Sequence, residues 1–516
     1  MTRWFNVAGP CNPADHYMLP SSERLPDLLR LIDQKSYFVL HAARQTGKTT
    51  AMLALAHELT TSGRYLAVLV SAETGAPFGD NVDAAEQAIL SAWRGRLSWQ
   101  LPPDRQPPPW PEAPAGSRIR EALRVWAAAS DHPLVVFLDE IDALQDTTLI
   151  SVLRQLRDGH PGRPTFFPHA LALIGLRDVR DYKVASGGST RLGSASPFNI
   201  KTRSLTLSNF SASEVAALYQ QHTDDTGQLF TPDAVAHAFA QTQGQPWLVN
   251  ALAKVAVEEL APDPATPITP TVIDQAREVL IERQDTHLDS LAERLREPRV
   301  RAIIEPLLAG TVPADLPADD LRFVQDLGLV RMDPQAGLVI TNPIYAAVIP
   351  RNLTTTTRAF WPALTPIWRT AAGRLDPVRL LEAFLAFWRQ HGQPLLGTTA
   401  YHEIAPQLVL LAFLDRVANG GGRVERELAV GRGRLDVRLV YGETVVALEL
   451  KVWRDGSPDP RGDGLTQLDA YLHGLGLATG WLVIFDQRTG QPPIAERTSS
   501  ETASTPSGRT VTVIRA

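Results

Sequence analysis

Ten residues constrain this chain more than any others. HAARQTGKTT (41–50) lies between an apolar run, SYFVLH (36–41), and an alanine- and leucine-rich stretch reaching about residue 61. The expected order is a buried strand, a Gly/Thr turn and a helix. Such a turn gathers backbone N–H groups at a helix N-terminus, where they converge on an anion. Gly47 permits close backbone approach, Lys48 brings an ammonium and Thr49 a hydroxyl. The chain has six lysines against 44 arginines, and two of the six, Lys48 and Lys451, fall in patterns that need an ammonium.

The surrounding pattern is α/β. Strands expected at 65–73, 134–142, 170–176 and 204–208 alternate with helices at 83–98 and 117–130, which implies a parallel sheet. The proline-rich stretch 101–116 reads as a surface insertion. Ser211 and Glu214 form a capping box, and Thr231 opens a second helix with Pro232 at its first position. Helices at 299–309 and 318–327, then a hairpin turning at 333–337, suggest a winged helix or a structural lid. Residues 351–372 read as a linker and 376–391 as a core helix. A second α/β pattern has a helix near 403–418, strands at 423–430, 434–440 and 444–453, a helix at 462–475 and a strand at 480–486. A polar segment at 496–508, expected to be mobile, precedes a last strand at 509–515. The expected division is a phosphate-binding core over 1–210, a helical lid over 211–285 and a winged-helix-like part over 286–350. A helical linker over 351–397 and a second α/β domain over 398–516 complete it.

Residues 42–49 approach the Walker A pattern GxxxxGK[ST], with Ala42 where the first glycine stands. The apolar strand LVVFLDEID (134–142) ends in Asp139 and Glu140, the Walker B pattern. Together these resemble the AAA-type P-loop ATPases, close to the archaeal-ATPase and STAND branch, with an additional strand in the sheet. The resemblance covers about residues 1–350. It implies that Ala43, Arg44, Gln45, Thr46, Gly47, Lys48, Thr49 and Thr50 wrap the phosphates of ATP. Thr49 and Asp139 would hold Mg²⁺, and Glu140 would act as general base. It also makes Arg177, or else Arg180, a sensor arginine, and Gly244 and Pro246 a GxP motif coupling the lid to nucleotide. His16 or Tyr17 would line the adenine pocket.

The second pattern is GRGRLDVRLVYGETVVALELKVW (431–453). Alternation puts Glu449 and Lys451 on one strand face, and hairpin pairing can bring Asp436 beside them. Two carboxylates and the Leu450 carbonyl make an all-oxygen site suited to Mg²⁺ or Mn²⁺, while Lys451 could orient the attacking water. Gln467 and Tyr471, at i and i+4, share a helix face. This arrangement is similar to the PD-(D/E)xK nuclease superfamily, with the QxxxY motif of its RecB-like members, over about residues 398–490. The resemblance implies a restriction-endonuclease-like fold in which Gln467 and Tyr471 contact the substrate strand or brace the site. Glu403 is a further acid by position, and Glu427 an alternative. A mixed solvated face, or a nuclease fold that binds without cutting, remains the competing reading.

Composition bounds the rest. At 516 residues and 44% hydrophobic the chain has material for several cores. A net charge of −6 excludes a polybasic nucleic-acid coat, though not a local groove. The single cysteine, Cys11, excludes an intrachain disulfide. No apolar run approaches the ~18 residues of a membrane span, and the N-terminus lacks a signal-peptide pattern, so a cytoplasmic protein is expected. The functional expectation is an ATP-hydrolysing protein that couples nucleotide state to a Mg²⁺-dependent nuclease-like domain acting on DNA, possible as a homo-oligomer. The alternative is a STAND-like switch whose C-terminal domain binds DNA or a partner without cleaving it.

Overall fold

The computed structural model describes residues 3–20, 24–176, 200–283, 286–308, 316–350, 366–370, 372–398, 405–418, 422–427 and 436–516. The chain divides into two compact units, residues 1–283 with 322–329, and residues 284–321 with 330–516.

The first unit is built on β1 (Tyr37–His41), β2 (Leu66–Ser71), β3 (Leu134–Asp139), β4 (Ala170–Gly175) and β5 (Lys201–Thr206), all parallel, in the order β2-β3-β4-β1-β5. β4 therefore separates the loop-bearing strand β1 from the acid-bearing strand β3. Strands β1 to β4 are apolar almost throughout because both faces are covered. Phe38 and Leu40 enter one core with α1 (Asp27–Asp33) and α2 (Lys48–Thr61). Tyr37 and Val39 enter the opposite core, around Trp93 and Trp126, with α3 (Val82–Gln100), α4 (Arg118–Ala129) and α5 (Asp146–Gly159). The proline-rich insertion is pinned rather than loose. The Trp110 indole donates to the Leu90 carbonyl (3.0 Å), and its ring lies 6.0 Å from that of Trp126.

Helices α6 (Ala212–Thr226), α7 (Pro232–Thr242), α8 (Pro246–Val255) and α9 (Pro270–Arg283) come next, the first two on the caps expected from Ser211 and Thr231. The segment 3–20 is clasped between these helices and α2. Arg3 pairs with Asp225 (2.9 Å), the Trp247 indole donates to the Val7 carbonyl (2.8 Å), and Cys11 N–H donates to Thr50 Oγ1 (3.1 Å).

In the second unit, α10 (Thr286–Arg294) and α11 (Pro298–Leu308) precede α12 (Ala318–Asp326), within which the boundary between units falls. The hairpin β6 (Val330–Asp333) and β7 (Gly337–Ile340) packs on α11. After α13 (Pro377–Thr398) and α14 (Ala405–Ala418) comes a six-stranded mixed sheet. Its strands are β8 (Gly422–Glu427), β9 (Asp436–Tyr441), β10 (Thr444–Trp453), β11 (Trp481–Asp486), β12 (Ser499–Ser504) and β13 (Thr510–Arg515), in the order β12-β13-β11-β10-β9-β8. Helix α15 (Arg461–Leu475) covers one face over Ala447, Leu482, Ile484 and Val513. Helices α13 and α14 cover the other, over Leu448, Leu450, Val437 and Val483.

The mobile segment expected at 496–508 is corrected by this sheet. Residues 499–504 form β12, antiparallel to β13 from Ser499–Arg515 to Ser504–Thr510. The strand was hidden because it is an edge strand with one buried side chain, Ala503. Its backbone ladder rather than an apolar face holds it. Alternate amides of 499–504 are therefore expected to exchange with deuterium more slowly than those of 488–493. Uniform fast exchange across 496–508, measured by mass spectrometry or NMR, would contradict the strand.

Candidate functional sites

β1 ends at His41 and α2 begins at Lys48, so the intervening turn fixes what the helix N-terminus presents. Ala42 extends the β1–β4 ladder, donating from its N–H to the Gly175 carbonyl (3.3 Å). It is not among the positive-φ residues, so its methyl group costs nothing where the motif has glycine. Gln45 (φ +57°) and Gly47 (φ +85°) are left-handed. For a non-glycine residue that conformation costs roughly 1–2 kcal/mol, so other contacts must hold it. Thr46 Oγ1 donates to the Ala43 carbonyl (2.9 Å), and Gln245 Nε2 donates to the Gln45 carbonyl (3.4 Å). The backbone N–H groups of Gln45, Thr46, Gly47, Lys48 and Thr49 have no acceptor among the described residues. Five such donors at a helix N-terminus fit an anionic polyphosphate. A Cβ built at Gly47 meets nothing within 4 Å.

Lys48 Nζ donates to the carbonyls of Ala42 and Ala43, each at 2.8 Å. Burial pulls its pKa below the ordinary lysine value, opposed by Asp139, Asp142 and Glu140, with Arg44 adding to the depression. Thr49 Oγ1 donates to Asp139 Oδ2 (2.7 Å), and Asp139 Oδ1 accepts from the Glu140 N–H (2.9 Å). A hydroxyl and a buried carboxylate side by side are oxygen donors suited to Mg²⁺. Glu140 is left-handed (φ +54°). Burial first, then Asp139 and Asp142, raises its pKa above the ordinary glutamate value. Sequence reasoning missed Asp142, which stands two residues past Glu140 in the quoted motif. Thr50 Oγ1 accepts from the Cys11 N–H (3.1 Å). Arg177 and Arg180 lie outside the described residues.

Two distant segments touch the outside of the loop. Gly244 (φ +69°) passes so close to Phe210 that a Cβ would lie 1.8 Å from the Phe210 carbonyl oxygen. This turn delivers Gln245, the N-cap of α8, to the Gln45 carbonyl. Gly328 (φ +74°) approaches Ala43, whose Cβ would lie 2.8 Å from a Cβ built there. The GxP resemblance implied that the turn at Gly244 couples to nucleotide, but neither specific contact was anticipated. The only signal for Gln245 was its place between Gly244 and Pro246. Tyr17 is buried beside Phe5 and hydrogen-bonded to His222 (3.2 Å), and His16 Nδ1 accepts from the Asn12 N–H (2.8 Å).

In the second unit, Glu449 and Lys451 share the face covered by α15. Glu449 is fully buried, and Lys451 Nζ lies 2.7 Å from its Oε1. The same ammonium donates to Gln467 Oε1 on α15, and Tyr471 is buried one turn further along that helix. Asp436 pairs with Glu449 through the backbone register of β9 and β10, and Glu427 pairs with Asp436 across β8. The Leu450 side chain goes to the opposite core. Glu449 Oε2 has no hydrogen-bond partner among the described residues. No cluster of three potential metal-ligating side chains occurs among those residues. Glu403 lies outside them.

Residues 22–167 match a family model described as AAA ATPase domain. No curated protein is similar in sequence to this chain. Among solved structures it is similar to the Walker-type ATPase of Pyrococcus abyssi, at 12% identity and TM-score 0.47, covering 67% of this chain and 99% of that one. The ORC2 protein of Aeropyrum pernix matches at 16% identity and TM-score 0.40, with 65% and 92% covered. The RuvB Holliday junction branch migration motor of Thermotoga maritima matches at 15% and 0.34, with 62% and 90% covered. No helix among the described residues is long and apolar enough to cross a membrane.

Gly47→Val would place a β-branched residue at φ +85°, outside its allowed backbone range. Shifting the turn forfeits more than one charge-assisted hydrogen bond, each worth about 1.5–3 kcal/mol. ATP affinity is expected to fall roughly tenfold or more, as read by equilibrium binding. Unchanged affinity would contradict the cradle. The motif pair, the loop geometry and the family match agree that residues 22–167 carry an AAA ATPase domain, which implies a P-loop NTP hydrolase using ATP and Mg²⁺.

Proposed function

We propose that the protein couples ATP binding and hydrolysis in its first unit to a Mg²⁺-dependent nuclease-like site in its second, acting on DNA. In the first unit the N–H groups of Gln45 to Thr49 take the phosphates. The Lys48 ammonium exchanges two neutral carbonyl acceptors for anionic phosphate oxygens, a stronger pairing. Thr49 and Asp139 are the residues that would hold Mg²⁺, whose charge offsets that of the phosphates. Glu140 accepts the proton of the attacking water.

The observation that carries the nuclease-like reading is the group Glu449–Lys451–Gln467 on one sheet face, with Asp436 in register opposite Glu449. A buried carboxylate with an unpartnered oxygen costs free energy unless a cation completes it. Asp436, Glu449 and the Leu450 carbonyl are the groups that would hold Mg²⁺ or Mn²⁺. A metal there would supply Lewis acidity toward a phosphodiester. Lys451, braced by Gln467, is positioned to orient water and offset developing negative charge. DNA as substrate rests on resemblance to the PD-(D/E)xK nucleases.

Two outcomes are expected. Glu140→Gln should abolish ATP turnover while retaining ATP binding, and turnover kept in that variant would remove Glu140 as the base. Plasmid and single-stranded DNA should be cut with Mg²⁺ or Mn²⁺, and Asp436→Ala should lose the cutting. No cutting under any nucleotide condition would instead favour a STAND-like switch whose second unit binds without cleaving.

A further inference from the structure

We infer that Gln245 is a positioning residue for ATP binding, aiming one donor of the phosphate cradle from outside it. This rests on reading residues 42–50 as that cradle. Gln245 is almost fully buried, and both ends of its amide are used. Oε1 accepts from the Leu248 N–H (2.6 Å), capping α8, and Nε2 donates to the Gln45 carbonyl (3.4 Å). The amide orientation is fixed by its partners, since Leu248 N–H can only donate and the Gln45 carbonyl can only accept.

Peptide planarity carries the effect into the loop. The Gln45 carbonyl and the Thr46 N–H belong to one trans peptide, so they point in opposite directions. A donor that draws the carbonyl outward turns the Thr46 N–H inward. That N–H has no acceptor among the described residues, as an open phosphate donor should. Gln45 is also the non-glycine residue held left-handed in this turn, so the peptide needs an external hold. Thr46 Oγ1, bonded to the Ala43 carbonyl, closes the loop from its other side.

Gln245 is itself held firmly. Gly244 cannot carry a Cβ against Phe210, and the Phe210 N–H donates to the Gly244 carbonyl (2.8 Å). Asn209 Nδ2 donates to the Gln243 carbonyl (3.1 Å). The turn before α8 is thus anchored to the chain just after β5, and Gln245 transmits that anchor to the loop. Phosphate affinity then depends on where α8 stands.

The cap and the loop contact separate by mutation. Gln245→Asn keeps a good capping group, but its shorter side chain cannot reach Gln45. Gln245→Ser likewise keeps a neutral capping oxygen but cannot reach Gln45. At 3.4 Å the contact is longer than an ordinary hydrogen bond, so a modest effect is expected, about threefold to tenfold. In the full chain, Kd and KM for ATP should rise by that factor in both variants, with kcat within about twofold, the signature of lost uniform binding. The thermal midpoint without nucleotide should match the parent's. ATP affinity within twofold of the parent in both variants would overturn the inference. So would an affinity loss accompanied by a matching fall in thermal midpoint, which would make Gln245 a helix cap only. Lys48→Ala run alongside separates the two readings. If it binds ATP as the parent does, the cradle itself is wrong. If it loses binding while the Gln245 variants do not, only the role of Gln245 fails.

Discussion

Two parallel strands, separated by a third, deliver their C-terminal ends to one edge of the sheet, and a single hydrogen bond ties the helix after one to the last residue of the other. Thr49 Oγ1, in the first turn of α2, donates to Asp139 Oδ2 at the end of β3, at 2.7 Å. That bond requires β1 and β3 to end at the same height, which the parallel register with β4 between them provides. It also requires the turn from Ala42 to Gly47 to close tightly enough that α2 begins beside β3. The left-handed Gln45 and Gly47, the half-buried Lys48 and the backbone donors without an acceptor among the described residues are all consequences of that closure. Ligands of an AAA ATPase domain bind where strand ends and helix N-termini meet. Here the sheet order sets that meeting point.

The local parts of this site were legible in the sequence because backbone chemistry encodes them locally. A glycine before a lysine and a threonine at a strand–helix junction, and an apolar strand ending in two acids, need no knowledge of the rest of the chain. The helix starts at Ser211 and Thr231 were readable for the same reason, as side chains satisfying their own helix's N–H groups. The long-range parts were not. Gln245 touches Gln45 across 200 positions of sequence, and nothing local to either announces the other. Gly328 against Ala43 is of the same kind. β12 was misread because periodicity detects buried faces, and an edge strand with little to bury leaves no such trace.

In the second unit the reading depended on pairing that alternation can suggest but not fix. Glu449 and Lys451 share a face because they are two apart, and the structure adds that this face lies under α15, where Gln467 meets the lysine. The price of such a group is desolvation. Removing one member of a buried ion pair costs about 3–5 kcal/mol because the other charge is left uncompensated. Loss of Lys451 would therefore leave Glu449 buried and uncompensated, whereas Gln467 bears no charge and its loss strands none.

The clasped segment at the start of the chain sets a mechanical limit. Val7 is bonded to Trp247 on α8, and Cys11 to Thr50 on α2. The two attachments lie four residues apart, and about four residues fully extended reach about 14 Å. While both bonds hold, the segment is a leash of fixed length between the helix that carries the phosphate loop and the helix that Gln245 caps. Any swing of α8 away from α2 must stop at that length or first break one of the two bonds.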